Sequence, residues 1–170
     1  MEIKWIGAVL VMAGCGGFGA SLAAAYRREE QQLRQLTEAI RYMECSLQYQ
    51  LTPLPELCRG VSQLLSGPVR RLFQSLAKEL EYQIAPDAAS CMYAAVTAQP
   101  ELMKSSRRIC LQLGKTLGQF DLPGQLKGLE AAQHACSTGL EDMQRGRAVR
   151  LRSYQTLALC AGAALTIIFL

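Results

Sequence analysis

One histidine, His134, and one tryptophan, Trp5, stand in a chain whose aromatics make up 6% of 170 residues. The sequence is short of the groups that usually carry chemistry. His134 has no carboxylate or nucleophile partner suggested by its surroundings, which points to a surface or interhelical hydrogen bond and away from general acid–base work. Seven cysteines are scattered singly, with no CxxC pair, so zinc-ligand spacing is absent and free thiols packed as small hydrophobes are expected. Gly114-Lys115-Thr116 has the end of a phosphate loop, but Ile109 stands where that motif needs its first glycine. β-Branched residues are few and no alternating run is bounded by a hairpin turn, which argues against strands. No internal repeat or low-complexity tract is present. These absences predict no enzyme, no cofactor and no metal site.

Charge is missing from two stretches. Trp5 to Tyr26 holds 22 residues without a charged side chain, closed by Lys4 and by Arg27-Arg28. At ~1.5 Å per residue such a helix crosses a hydrocarbon core of ~30 Å. Trp5 and Tyr26 lie at its ends, where aromatic rings favour the lipid–water boundary. Ser153 to Leu170 is a second uncharged run, of 18 residues. Met12-Ala13-Gly14-Cys15 is similar to a lipoprotein cleavage site, but Met12 replaces the usual leucine and no polar turn follows Cys15. A retained membrane helix is the better reading. The region between, 27–152, holds 17 of the 18 basic and 13 of the 14 acidic residues. Its net charge of +4 is interspersed and is not a nucleic-acid footprint.

Within that region the spacing predicts about six helices. Leu33, Leu36, Ile40, Met43 and Leu47 make a heptad-like stripe, so the first membrane helix is expected to continue to about Gln50. The stripe reads as ordinary core in preference to a coiled coil with a second chain. Thr52-Pro53-Leu54-Pro55-Glu56 ends this helix and starts another, with Thr52 able to cap it and Leu54, Leu57, Val61, Leu64 and Leu65 inward. Gly67-Pro68 opens a third, to about Gln83, burying Val69, Leu72, Phe73, Leu76 and Leu80. Pro86-Asp87 starts a short helix and Pro100-Glu101 another. Asp121 is a candidate cap for a last helix that runs to the end with its own stripe, interrupted by Gln133. The expected fold is all-α: an antiparallel helical bundle over 27–152, flanked by transmembrane helices over 1–26 and 153–170.

Arg27, Arg28 and Arg34 follow the first span, and Arg145, Arg147, Arg150 and Arg152 precede the second. Positive charge marks the cytoplasmic side, so the bundle should be cytoplasmic with both termini across the membrane. Arg70-Arg71 and Arg107-Arg108 are either solvated helix faces or a docking site for an acidic partner.

Taken together, these segments resemble the stage III sporulation protein AB family of endospore-forming bacteria. The likeness rests on Lys4 to Leu10, Thr52-Pro53-Leu54-Pro55-Glu56, Gly67 to Phe73, Leu117-Gly118 with Asp121 and Gln125, and the apolar helix led by Tyr154. Gln119 departs from the small polar residue common in the family. The resemblance implies a bundle like the cytoplasmic domain of general secretion pathway protein F. It also implies a channel complex joining mother cell and forespore, an outer forespore membrane location facing the mother-cell cytoplasm, and a cytoplasmic ATPase neighbour, stage III sporulation protein AA, among other channel subunits. The function expected is a non-enzymatic platform or adaptor that docks this ATPase. Arg70, Arg71, Arg107 and Arg108 are the candidate contacts, and Thr52, Pro53, Leu54, Leu117, Gly118, Asp121 and Gln125 the structural signature. The alternative is a membrane-anchored signalling module that forms a homo-oligomer through the heptad stripe.

Overall fold

The computed structural model describes the backbone at residues 2–50, 52–82, 86–118 and 121–169, and side-chain environments at 21 and from 24 to 146 within those stretches, except 22–23 and 50. The elements are α1 (Glu2–Gln50), α2 (Leu54–Leu64), α3 (Gly67–Glu81), α4 (Ala88–Thr97), α5 (Lys104–Thr116) and α6 (Leu122–Phe169). Among the described residues there is no strand, and the expected helical bundle is what forms.

Proline and glycine cut the chain where their backbone chemistry requires. Pro53 holds φ −57° at the N-cap of α2, and Leu57 N donates to its carbonyl at 2.9 Å. Gly67, at φ +61°, lets the chain turn from α2 into α3 in a region that suits no β-carbon. Two carboxylates cap helices: Asp87 Oδ1 accepts from Ser90 N at 3.1 Å, and Asp121 Oδ1, the expected cap of α6, from Gly124 N at 3.2 Å.

Three local expectations are corrected. Thr52 is not the cap of α2; that position is Pro53, with no side-chain cap bond. Leu64 is 59% exposed, because α2 ends there and Leu65, in an extended conformation, turns inward in its place at 4%. Pro100-Glu101 does not start α5, which begins at Lys104 after a turn that still buries Leu102.

The five stripe residues of α1, Leu33 to Leu47, are all buried within the chain. Each fully buried leucine contributes about 1.5–3 kcal/mol, so this face is committed to the bundle's own core. It packs on α6 and shares one buried core with Leu129, Ala132 and Cys136 of that helix, the alanine carrying the stripe past Gln133. The pairing is antiparallel. Leu33 lies opposite Gly139, where an added β-carbon would sit 3.2 Å from Leu33 Cδ1, and Thr37 on the next turn meets Cys136. α2 to α5 pack as successive antiparallel neighbours and close the bundle against this pair.

Two ends result. At the exit end, where α1 enters the bundle and α6 leaves it, lie the α2–α3 turn and the α4–α5 turn. At the far end, Leu54 of α2, Ala88 of α4 and Gly118 after α5 come together. Among the described residues no helix is long and apolar enough to cross a membrane. The spanning helices expected over 1–26 and 153–170 fall largely on residues whose side chains lie outside the description, and no spanning helix is found among the described residues.

Candidate functional site

At the exit end a buried amide ties α1 to the α4–α5 turn. Gln32 sits on the inward side of α1, 5% exposed. Its Nε2 donates to the Glu101 carbonyl at 3.0 Å, and its Oε1 accepts from Met103 N at 2.8 Å. Met103 is the N-cap residue of α5 and has no side-chain cap of its own. A residue 71 positions earlier therefore accepts the N-cap N–H, the role that a Glu or Gln at the third helical position plays in a local capping box. Next to it, Ser105 Oγ donates to Glu29 Oε1 and Gln35 Nε2 to Ser66 Oγ, each at 2.5 Å. An open groove of about 640 Å³ lies between Arg28–Gln35 on α1, the Ser66–Pro68 turn and Pro100–Met103.

The structure separates the four candidate arginines. Arg71 pairs with Glu101 at 2.5 Å and donates from Nε to Gln99 Oε1 at 3.2 Å. Arg107 donates to the Gln99 carbonyl at 3.3 Å. Both guanidinium groups are thus used to hold the 98–101 turn. Arg71 is about half exposed and Glu101 about two-thirds, so the pair contributes at most about 1 kcal/mol. Arg70 and Arg108 are exposed and have no ion-pair partner among the described residues.

At the far end most of the structural signature converges. Leu117, 1% exposed, ends α5, and its N–H donates to Leu113 O at 3.1 Å. Gly118 follows at φ +74°, with the space for a β-carbon bounded by Ala88 Cβ at 3.5 Å and Leu54 Cδ2 at 3.7 Å. Asp121 then caps α6, and Gln125 N donates to its carbonyl at 3.0 Å. Thr52 and Leu54 are half-buried on either side of Pro53. These residues shape a three-way junction. Tyr49, 77% exposed, and Tyr82, 73% exposed, stand at the same end. Periodicity missed both tyrosines, because they lie off the apolar stripes. Gln32 was missed for the opposite reason: it lies on the buried face, where a lone polar residue was the available signal.

Among the described residues no group of three or more His, Cys, Asp or Glu converges to hold a metal ion. His134 is exposed, with Nδ1 3.5 Å from Thr138 Oγ1. Gly114-Lys115-Thr116 forms the last turn of α5, and Gly114 is pressed against Met92, so no phosphate can reach its backbone. Burial pushes the thiols of Cys58 and Cys110 up to about 12 and that of Cys136 up to about 11, which keeps them protonated and unreactive at neutral pH.

A family model for stage III sporulation protein AB matches residues 4–170. The chain belongs to that family. As a member it is a protein of stage III of sporulation. The stage III sporulation protein AB of Bacillus subtilis (strain 168) is 26% identical over 170 residues, covering 99% of each chain. A solved structure of a stage III sporulation protein AB superposes with a TM-score of 0.65 at 24% identity, covering 72% of this chain and 98% of that one. At that identity the likeness speaks for the fold, and it agrees with the helical bundle described above.

Proposed function

We propose that this chain is a non-enzymatic membrane platform of the channel complex joining mother cell and forespore. Its bundle docks the complex's cytoplasmic ATPase. The carrying observation is the antiparallel packing of α1 and α6 through Leu33, Gly139, Thr37 and Cys136. This pairing sends two unbroken helices out of the bundle from one end, toward the uncharged runs 5–26 and 153–170. Two such runs side by side suit a helical hairpin in a bilayer. The arginines bordering them support a cytoplasmic bundle, in the outer forespore membrane and facing the mother-cell cytoplasm.

In this reading a cytoplasmic partner approaches the far end. Exposed Tyr49 and Tyr82 support a docking surface there, since tyrosine carries much of the energy of protein interfaces. Arg70, Arg71, Arg107 and Arg108 are weaker candidates, because two of them already hold a turn. The homo-oligomeric signalling alternative loses its main support, because the stripe it needs is buried inside the chain.

The test is capture of the purified ATPase, with and without nucleotide, by the detergent-solubilised full chain. Binding that falls at least tenfold in the Tyr49→Ala/Tyr82→Ala variant, and holds in Arg70→Glu/Arg108→Glu, agrees with the proposal. No capture in either nucleotide state contradicts the platform reading, and loss with the arginine pair alone moves the surface to the exit end.

A further inference from the structure

The fold sorts the charges of the bundle between its two ends, although they are mixed along the sequence. Arg70 lies in the first turn of α3, and Lys104 and Arg108 in the first two turns of α5; both helices begin at the exit end. Ser105 reaches Glu29 and Ser66 reaches Gln35 on α1, so these residues fold toward the end of the bundle that Arg27 and Arg28 border. All five are exposed, and none has an ion-pair partner among the described residues. Most carboxylates at this end are already engaged. Glu29 accepts from Ser105, Glu30 pairs with Arg34, Glu101 with Arg71 and Glu141 with Arg145. The far end is different. There Lys78, Lys115 and Lys127 stand among a larger number of carboxylates, including the two helix caps Asp87 and Asp121.

We propose that the exit end is a lipid-binding face: Arg27, Arg28, Arg70, Lys104 and Arg108 seat the bundle on the anionic headgroups of the leaflet that receives α1 and α6. This rests on the reading that 5–26 and 153–170 lie in a bilayer. An anionic leaflet is favoured over an acidic protein or a nucleic acid by position. The two helices that border the basic face are those that would enter the membrane, so in that reading the headgroups lie beside this face, and an anionic surface attracts basic side chains over about a Debye length, ~8 Å at physiological salt. An acidic partner would have to enter the same gap against lipid already there. Arg70, Lys104 and Arg108 are the informative members, because they are far in sequence from either apolar run and the fold alone delivers them.

Lys104 is the one lysine at this end of the bundle, and Lys78, Lys115 and Lys127 serve as internal controls. The full chain is reconstituted in nanodiscs of phosphatidylcholine, with or without phosphatidylglycerol. An uncharged amine-reactive reagent is applied and each lysine is read by peptide mass spectrometry. The proposal expects modification of Lys104 to fall at least threefold with phosphatidylglycerol and to recover in high salt or in Arg70→Glu/Arg108→Glu, with the three far lysines unchanged. Equal modification of Lys104 in both discs overturns it. So does an equal fall at all four lysines, or protection of Lys104 in neutral discs by an acidic protein or RNA without an effect of anionic lipid. Failure of the chain to enter either disc would instead overturn the membrane reading on which the proposal stands.

Discussion

Gln32 caps α5 from across the bundle: its Oε1 accepts the Met103 backbone N–H at 2.8 Å while its Nε2 reaches the Glu101 carbonyl at 3.0 Å. One side chain on the longest helix thereby satisfies the N-cap N–H of α5. It also holds the α4–α5 turn at the end of the bundle from which α1 and α6 leave.

Replacing Gln32 with Ala leaves both backbone groups without their partner in a partly buried place. An unsatisfied buried polar group costs about 1–3 kcal/mol, so Gln32→Ala should lower unfolding free energy by that order. Gln32→Glu should not rescue it, because a carboxylate can accept from Met103 but cannot donate to Glu101. Denaturant titration of both variants checks this, and a loss below about 0.5 kcal/mol in either would show that water replaces the amide freely.

Gly114 is a close-packing position. A β-carbon there would meet Met92 Cβ at 2.6 Å and Cγ at 2.8 Å, atoms near the backbone that cannot swing aside. In an open helix Gly→Ala gains about 1 kcal/mol from propensity. Here overpacking opposes it by about 1–3 kcal/mol, so Gly114→Ala should be net destabilising. Thermal unfolding decides the sign.

Asp87 carries a pH dependence that can be isolated. Hydrogen bonds from Ser90, its hydroxyl first and its backbone N–H second, hold the Asp87 carboxyl below its ordinary value. A depressed folded-state pKa means stability that is present above the unfolded pKa, about 3.9, and lost as pH falls through the folded one. Asp87→Asn keeps a competent cap without the titration. The stability advantage of the parent over this variant should therefore shrink as pH is lowered below about 4. Parallel denaturation at pH 7 and pH 3 measures it.

Much of this fold was legible because proline and glycine mark its boundaries and because five apolar residues on α1 repeat at helical spacing. The errors have two physical sources, long-range contact and the exact point at which a helix stops. Pro100 looked like a helix start because its ring suits a first turn, yet the acceptor for the N-cap N–H at the true start sits on Gln32. Leu64 and Leu65 are equivalent in composition; which one turns inward depends on where α2 stops. The close approach of α1 and α6 at Leu33 and Gly139 was hidden because glycine in a helix reads as weakness until a neighbour fills the space. The candidate site was less legible than the fold. Paired arginines stand out in a sequence, whereas the bonds of Arg71 and Arg107 to Gln99 and Glu101 exist only after α3, α4 and α5 have packed.

The most direct measurement of the central claim uses Cys45, a described free cysteine that is exposed on the bundle. Protoplasts expressing the full chain are treated with a membrane-impermeant maleimide, intact or permeabilised, and the Cys45 peptide is followed by mass spectrometry. The account predicts that Cys45 is labelled only after permeabilisation and that the chain stays with membranes through alkaline carbonate extraction. Labelling of Cys45 in intact protoplasts, or release of the chain by carbonate, would contradict a platform held by two membrane helices with its bundle in the cytoplasm.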